Sequence, residues 1–182
     1  DADVLQRVAA ARGVEVLVTE IVEDGNGRMS SSRIRAALER GDPDTAETLL
    51  ERPYRFQGRV VRGRGLGREL GWPTANLQVD GRKFLPALGV YAAWAWVDGR
   101  EKPLEAVMNL GPQPTVDPTS PSAVEVHLLD RSMELEGRQL MVEPVQRLRG
   151  QQRFSGLEEL SAQISRDAHK ARSLLSVQTG VG

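Results

Sequence analysis

The residues best placed to do chemistry lie in a glycine-rich stretch that runs from Gly58 to Leu77 and reads GRVVRGRGLGRELGWPTANL. Glycines allow positive φ and leave backbone N–H groups accessible, which suits a loop that wraps around phosphate oxygens. Pro73 fixes its own φ and favours an extended Trp72, so the residues after it are predicted to form a strand. Side chains alternate along a strand, so Thr74 and Asn76 share one face toward the glycines. Their hydroxyl and amide oxygens are hard ligands of the kind that a Mg²⁺–nucleotide complex takes.

A second interpretation of the glycines stays open, because a glycine-rich turn between strands is also typical of a structural hairpin. On that interpretation Asn76 caps a turn and Thr74 is simply a good strand former. The sequence has no Gly-Lys-Ser/Thr after the glycines, so it is not a P-loop, and it has neither His-Arg-Asp nor Asp-Phe-Gly of the protein kinases.

A second candidate group lies in the alternating run Ala123 to Asp130, which reads AVEVHLLD. Glu125 and His127 are predicted to share one face of a strand, opposite the valines. From the residues alone, that face is interpreted as the ordinary solvent face of a strand. His127 fits a hydrogen-bonded structural role better than a catalytic one.

Six segments in order together resemble the riboflavin kinase family, over about Arg52 to Leu175. They are Gly58 to Gly63, Leu70 to Asn76 (LGWPTAN), Gly89-Val90-Tyr91, Asn109-Leu110-Gly111, Val124 to His127 (VEVH) and the closing Arg149 to Arg172. The resemblance implies transfer of the ATP γ-phosphoryl group to riboflavin, giving FMN and ADP with Mg²⁺. It also implies a six-stranded barrel with Greek-key connections.

The resemblance implies a role for each of several positions. Glu125 falls at the catalytic base, and Thr74 and Asn76 fall around Mg²⁺ and the ATP phosphates. The remaining candidates are Gly63 and Arg68 for the phosphates, Leu128 and Asp130 for the nucleotide, and Arg149, Gln152 and Phe154 for the loop that closes over the flavin.

The sequence departs from the family pattern at three places near these sites. Leu148-Arg149-Gly150-Gln151 stands where the family commonly reads Leu-Arg-Pro-Glu, and Glu136-Gly137 stands where many members have Tyr-Gly. Gln113 occupies a position that is arginine in many relatives. These departures affect the expected flavin loop more than the Mg²⁺ and base positions.

The first 52 residues read as helices and one strand, too little to cover a sheet, and are predicted to be the tail of an adenylyltransferase-like domain. The expected elements are a helix over 2–12, a strand over Val14 to Val18, a loop over 24–27, a helix over Ser30 to Arg40, and a helix capped by Asp42. Met29 to Arg35 resembles the late motif of the adenylyltransferase module fused to bacterial riboflavin kinases, but a well-capped helix with a basic face is the favoured interpretation in this sequence. The module's upstream His-x-Gly-His motif does not occur in this sequence, so FAD synthesis is not expected from it.

Residues 53–182 read as short strands followed by one helix. The predicted strands are Tyr54 to Arg62, Thr74 to Val79, Val90 to Val97, Leu104 to Leu110, Ala123 to Leu129 and Gln139 to Arg147. Leu157 onward repeats apolar residues at helical spacing. The expected fold is mainly β: a six-stranded antiparallel Greek-key barrel with a C-terminal helix, preceded by the short α/β remnant.

The amino-acid composition argues against several classes of partner and location, beginning with nucleic acid. The 24 basic and 25 acidic residues give a net charge of −1, so nucleic acid is not an expected partner. There is no cysteine, no signal pattern and no apolar run near ~18 residues, so a cytoplasmic protein without membrane partners is expected. The alternatives to a kinase are a non-catalytic barrel that binds flavin or nucleotide, and the truncated half of a bifunctional enzyme.

Overall fold

The computed structural model describes residues 2–18, 20, 22–63, 66–112 and 124–179. These residues form two compact units, one up to Ser31 and one from Ser32 onward. Among the described residues, no helix has both the length and the apolar character needed to cross a membrane.

The first unit contains one helix and one small hairpin. Helix α1 spans Ala2–Ala10, and strands β1 (Glu23–Asp24) and β2 (Gly27–Arg28) pair antiparallel. The predicted strand over Val14 to Val18 is wrong, since these described residues form no strand. Val14 extends the end of α1 through a hydrogen bond to Ala9 O, and Leu17 is 79% exposed, so the run has no sheet to join.

The second unit begins with a pair of short helices. Helix α2 spans Ser31–Arg40 and α3 spans Pro43–Leu50, with Asp42 as the predicted N-cap of α3. Leu38 is buried with the partly buried Tyr54 and Phe84, and its carbonyl accepts a 2.8 Å hydrogen bond from Ala87 N. This packing places α2 and α3 in the compact unit of the barrel, whereas a domain boundary at residue 52 stays a prediction.

Six antiparallel strands then close a barrel. They are β3 (Phe56–Val61), β4 (Ala75–Val79), β5 (Gly89–Val97), β6 (Leu104–Leu110), β7 (Val124–Leu128) and β8 (Gln139–Arg149). The order around the barrel is β3-β4-β7-β6-β5-β8, so β4 pairs with β7 and the chain crosses over between them. This confirms the predicted six-stranded antiparallel barrel.

Side chains alternate between the two faces of each strand, and the side chains of one face fill the barrel interior. Its interior includes Val60, Leu77, Tyr91, Met108, Leu110, Val124, Val126 and Val142, all buried. Strand β8 pairs with both β3 and β5, and its register against β5 shifts beside Pro144, so the predicted irregularity at this proline is a bulge.

Two helices lie outside the barrel wall. The one-turn helix α4 (Leu66–Glu69) occupies part of the stretch predicted to be a glycine loop. The long helix α5 (Leu157–Thr179) covers the outer face of β5 and β6 by packing Ala168, Ala171 and Leu175 against Val90 and Val107. The outer face is therefore apolar under α5 and open for polar side chains beyond it.

Candidate active site

A row of polar side chains crosses the outer face of three neighbouring strands. Glu125 of β7 stands directly opposite Asn76 of β4 on one side and Asn109 of β6 on the other. The neighbours of each residue along its strand point into the core, so all three project outward, and all three are half-buried. Directly opposed side chains have Cβ atoms about 4.5–5.5 Å apart. Asn109 Nδ2 donates to Glu125 Oε2 at 3.4 Å.

The glycines lie against the two predicted magnesium ligands. A Cβ added at Gly63 would stand 2.0 Å from Asn76 Nδ2, and one added at Gly67 would stand 3.2 Å from Thr74 Oγ1. Any larger residue at Gly63 would therefore displace the Asn76 side chain. The prediction that Thr74 and Asn76 face the glycine segment is confirmed by these contacts.

A cavity of about 820 Å³ is lined by Asn76 of this row, whereas Glu125 and Asn109 do not line it. Its lining also contains the predicted ATP-binding residues Gly63, Arg68, Thr74 and Leu128. The segment from Arg131 to Glu136 lines the same cavity, and Glu134 pairs with Arg68 at 3.6 Å. Both partners are highly exposed, so this ion pair adds little stability.

Asp130 is held away from the cavity wall. Its two carboxylate oxygens accept 2.9 and 2.6 Å hydrogen bonds from Arg172 of α5, and these bonds lower the pKa of Asp130 below its ordinary value. Asp130 has a φ of +55° and does not line the cavity. A nucleotide contact at Asp130 stays a prediction and requires exchange of its arginine partner.

Two of the predicted flavin residues, Arg149 and Phe154, lie together where β8 meets α5. Arg149 forms a 2.9 Å ion pair with the buried Asp167, and its guanidinium lies 5.7 Å from the centre of the Phe154 ring. Gln163 donates a further 2.9 Å hydrogen bond to Asp167. Gln152 is exposed, and its neighbour Gln151 makes the contacts toward the barrel.

The register joins the two groups of candidates into one line across the sheet. Asn109 stands opposite Val90 of β5, and Val90 stands opposite Arg149 of β8. The line runs Asn76, Glu125, Asn109, Val90, Arg149, with adjacent strands about 4.8 Å apart. Glu125 therefore lies between the predicted nucleotide side and the predicted flavin side.

His127 takes the structural role expected of it. Its Nδ1 lies 2.8 Å from Pro73 O, and because a carbonyl only accepts, Nδ1 carries the proton and donates. Its ring also meets Trp72 edge-on, with centroids 5.3 Å apart. These contacts tie β7 to the residues just before Thr74.

Asn109 of the row, and Gln151, which contacts it, were not among the site residues predicted from the sequence. Asn109 is the polar residue near the end of the largely apolar β6, and its position opposite a carboxylate appears only once the register is known. Gln151 was noted only as a departure from a family pattern, without a role.

The donor set around the cavity fits Mg²⁺. No group of three or more histidine, cysteine, aspartate or glutamate side chains that could hold a metal occurs within the described ranges. Mg²⁺ needs no such group, because it is commonly held by one or two protein oxygens together with substrate phosphates and water. Thr74 and Asn76 supply two such oxygens on the wall of one cavity.

A family model described as "Flavokinase: Riboflavin kinase" matches residues 50–175. The chain belongs to the riboflavin kinase family. Among curated proteins, the bifunctional riboflavin kinase/FMN adenylyltransferase of Pseudomonas fluorescens is 42% identical over 174 residues, which are 96% of this chain and 55% of that protein. The same-named protein of Escherichia coli K12 is 41% identical over 173 residues, covering 95% of this chain and 54% of its own. The chain thus spans about half the length of the curated relatives it matches.

Two solved structures show the same fold. A structure named as a macrolide-efflux protein from Streptococcus pneumoniae superposes with a TM-score of 0.78 at 31% identity, covering 92% of this chain and 54% of that one. A riboflavin kinase from Trypanosoma brucei superposes with a TM-score of 0.50 at 22% identity, covering 68% of this chain and 78% of that one. The second likeness bears on the barrel alone.

Proposed function

We propose that this member of the riboflavin kinase family transfers the γ-phosphoryl group of ATP to the 5′-hydroxyl of riboflavin, yielding FMN and ADP. The observation that carries the proposal is the line from Asn76 through Glu125 to Arg149, with the cavity at one end and the Arg149–Phe154 cluster at the other. A carboxylate between two substrate subsites is the arrangement that a phosphoryl transfer to an alcohol requires.

The candidate residues other than Glu125 bind the substrates and the metal. Gly63 and Arg68 contact the ATP phosphates, and the oxygens of Thr74 and Asn76 would hold Mg²⁺. When bound, the ion neutralises charge that develops on the phosphate oxygens. Leu128 contacts the nucleotide, and Arg149, Gln152 and Phe154 close over the flavin.

Glu125 is the proposed acceptor of the proton that the riboflavin 5′-hydroxyl loses. The riboflavin 5′-hydroxyl passes its proton to the Glu125 carboxylate as its oxygen forms a bond to the γ-phosphorus. The bond from that phosphorus to the β–γ bridging oxygen breaks, and the electron pair leaves with ADP. Asn109 holds the carboxylate by hydrogen bonding to Oε2.

The first 52 residues are proposed to be part of an adenylyltransferase module. In support, the bifunctional relatives match 96% of this chain, whereas the riboflavin kinase model begins at residue 50. FAD synthesis is not proposed, because the sequence has no His-x-Gly-His motif. A cytoplasmic location stays a prediction.

The test is conversion of riboflavin to FMN by the purified chain with Mg-ATP, followed by chromatographic separation of the flavins and quantification of ADP. We expect equal amounts of FMN and ADP, and no FMN when EDTA removes the metal. Tight binding of riboflavin and ATP without turnover would instead support the non-catalytic binding barrel.

A further inference from the structure

A chain of hydrogen bonds links the segment after β8 to the proposed base. Gln151 Nε2 donates to Asn109 Oδ1 at 3.0 Å and to the backbone carbonyl of Leu110 at 2.8 Å. Asn109 Nδ2 in turn donates to Glu125 Oε2 at 3.4 Å. Three side chains from three parts of the sequence thus form one connected polar network beside the barrel.

The backbone of β6 fixes the direction of this chain. A carbonyl oxygen can only accept, so the NH₂ group of Gln151, and not its oxygen, must face Leu110 O. That same NH₂ group faces Asn109, so Asn109 must present its oxygen to Gln151 and its NH₂ group to Glu125. Leu110 is fully buried in the barrel core, so the carbonyl that sets the direction belongs to a rigid strand.

The orientation of Asn109 matters because its amide can turn over. If it turned, Asn109 Oδ1 would face the Glu125 carboxylate, and two acceptors would stand against each other without a proton between them. Gln151 opposes that rotamer by occupying Asn109 Oδ1.

We propose that Gln151 is a positioning residue for the reaction: through Asn109 it holds the Glu125 carboxylate in the orientation that accepts the substrate proton. The proposal rests on the proposed function, in which Glu125 is the base. It also couples the Arg149 to Phe154 segment to the base, because Gln151 lies within that segment.

The first test observes the contact directly and needs no activity. The chain contains three asparagines, Asn26, Asn76 and Asn109, so selective ¹⁵N-asparagine labelling gives three side-chain NH₂ signals. We expect Gln151→Leu to shift the Asn109 signal and to leave the Asn26 signal unchanged. Gln146→Leu, the same change at an exposed position of β8, is the matched control and leaves the Asn109 signal in place. An Asn109 signal indifferent to Gln151→Leu overturns the proposal.

The second test is a kinetic double-mutant cycle. Gln151→Leu is expected to lower kcat about three- to tenfold, the usual range for one hydrogen bond, with KM for Mg-ATP unchanged. Because Gln151 acts through Asn109, Gln151→Leu should cost nothing further in an Asn109→Leu background. Additive losses, or an unchanged kcat in Gln151→Leu, contradict the proposal. Asn109→Ser replaces Asn109→Leu in the cycle if the leucine variant does not unfold cooperatively.

The two tests separate this proposal from the proposed function. If the unchanged chain makes FMN, but Gln151→Leu neither lowers kcat nor shifts the Asn109 signal, the positioning role fails and the kinase assignment stands. If the chain makes no FMN while the Asn109 signal still responds to Gln151→Leu, the kinase assignment fails and the role in orienting a base fails with it.

Discussion

At the scale of single residues, Glu125 is flanked by amides. Asn76 and Asn109 stand opposite it on the two neighbouring strands. An amide NH₂ group can donate a hydrogen bond to a carboxylate, as Asn109 Nδ2 does to Glu125 Oε2 at 3.4 Å, and so help to orient it.

Replacing both proposed Mg²⁺ ligands should weaken the binding of Mg-ATP but not the binding of riboflavin. In a Thr74→Val/Asn76→Leu double variant we expect Mg-ATP to bind more weakly by at least about tenfold, because two hard ligands are removed. Riboflavin binding without metal should be nearly retained. Calorimetric titration of each ligand measures this, with Gln78→Leu at an exposed position of β4 as the control. Unchanged Mg-ATP affinity would mean that the metal is held elsewhere.

At the scale of elements, local chemistry explains where the helices begin. Asp42 accepts hydrogen bonds from Thr45 N at 3.0 Å and from Thr45 Oγ1 at 2.6 Å, and Pro43 occupies the first turn. The sequence signals for this cap were sufficient because they are local. Before α5, the backbone N–H and the hydroxyl of Ser155 donate hydrogen bonds to Glu159 Oε2 at 2.8 and 2.7 Å.

The cap of α3 should contribute stability that depends on pH. Hydrogen bonds from the Thr45 side chain and backbone lower the pKa of Asp42 below its value of 3.8 in an unfolded chain. Its stabilisation is therefore present above the unfolded pKa and is lost as pH falls through the lower folded pKa. We expect Asp42→Ala to cost about 1 kcal/mol at pH 7 and less in acid.

Urea unfolding at pH 7 and in acid measures this difference. Glu47→Ala, which removes an exposed carboxylate of α3 outside the cap, is the control. An equal loss of stability at both pH values would show that the Asp42 charge does not support the helix.

Apolar residues that repeat with a period of two or 3.6 residues predicted most of the strands and helices. The remaining features depend on pairing between residues far apart in the sequence. The strands of the barrel were predicted within one or two residues at most ends, since alternation and turn residues are local signals. Val14 to Val18 has strand composition but no partner, and composition cannot reveal that. Thr74, Asn76 and Glu125 were predicted from motifs, whereas Asn109 and Gln151 become candidate site residues only through strand register and a long-range hydrogen bond.

At the scale of the whole molecule, the buried Tyr91 and the partly buried Tyr54 anchor the wall of the barrel to its surroundings. Tyr54 donates to Phe84 O and Tyr91 donates to Ala87 O. Burial raises the pKa of Tyr54 to about 12 and raises the pKa of Tyr91 in the same direction. Both hydroxyls thus stay protonated in the folded chain at pH values where an unfolded tyrosine ionises.

Stability should therefore fall in alkali. A raised folded pKa gives stabilisation that is complete below the unfolded pKa of about 10 and is lost as pH rises from there toward about 12. We expect Tyr54→Phe to flatten the dependence of unfolding free energy on pH between about 9 and 11. Denaturant titrations across that range compare the variant with the unchanged chain, and parallel curves would contradict the assignment to Tyr54.

The position of the domain boundary can be tested with two fragments. The sequence predicts that a fragment from Pro53 folds and phosphorylates riboflavin. In the structure, α2 and α3 bury Leu38 beside Tyr54, and the Leu38 carbonyl accepts a hydrogen bond from Ala87 N. We expect a fragment from Ser32 to be more stable than one from Pro53 by a few kcal/mol, on the order of burying one or two apolar side chains. Equal unfolding midpoints would show that α2 and α3 do not support the barrel.

Glu125→Gln tests the central claim most directly. The substitution keeps the size and shape of the side chain but replaces one oxygen by an NH₂ group, which removes the carboxylate proposed to accept the proton. Turnover of riboflavin with saturating Mg-ATP should fall by about 10²- to 10⁴-fold, the usual contribution of a general base, while both substrates bind with nearly unchanged affinity. A purified, folded Glu125→Gln protein that forms FMN at a near-native rate would contradict the account.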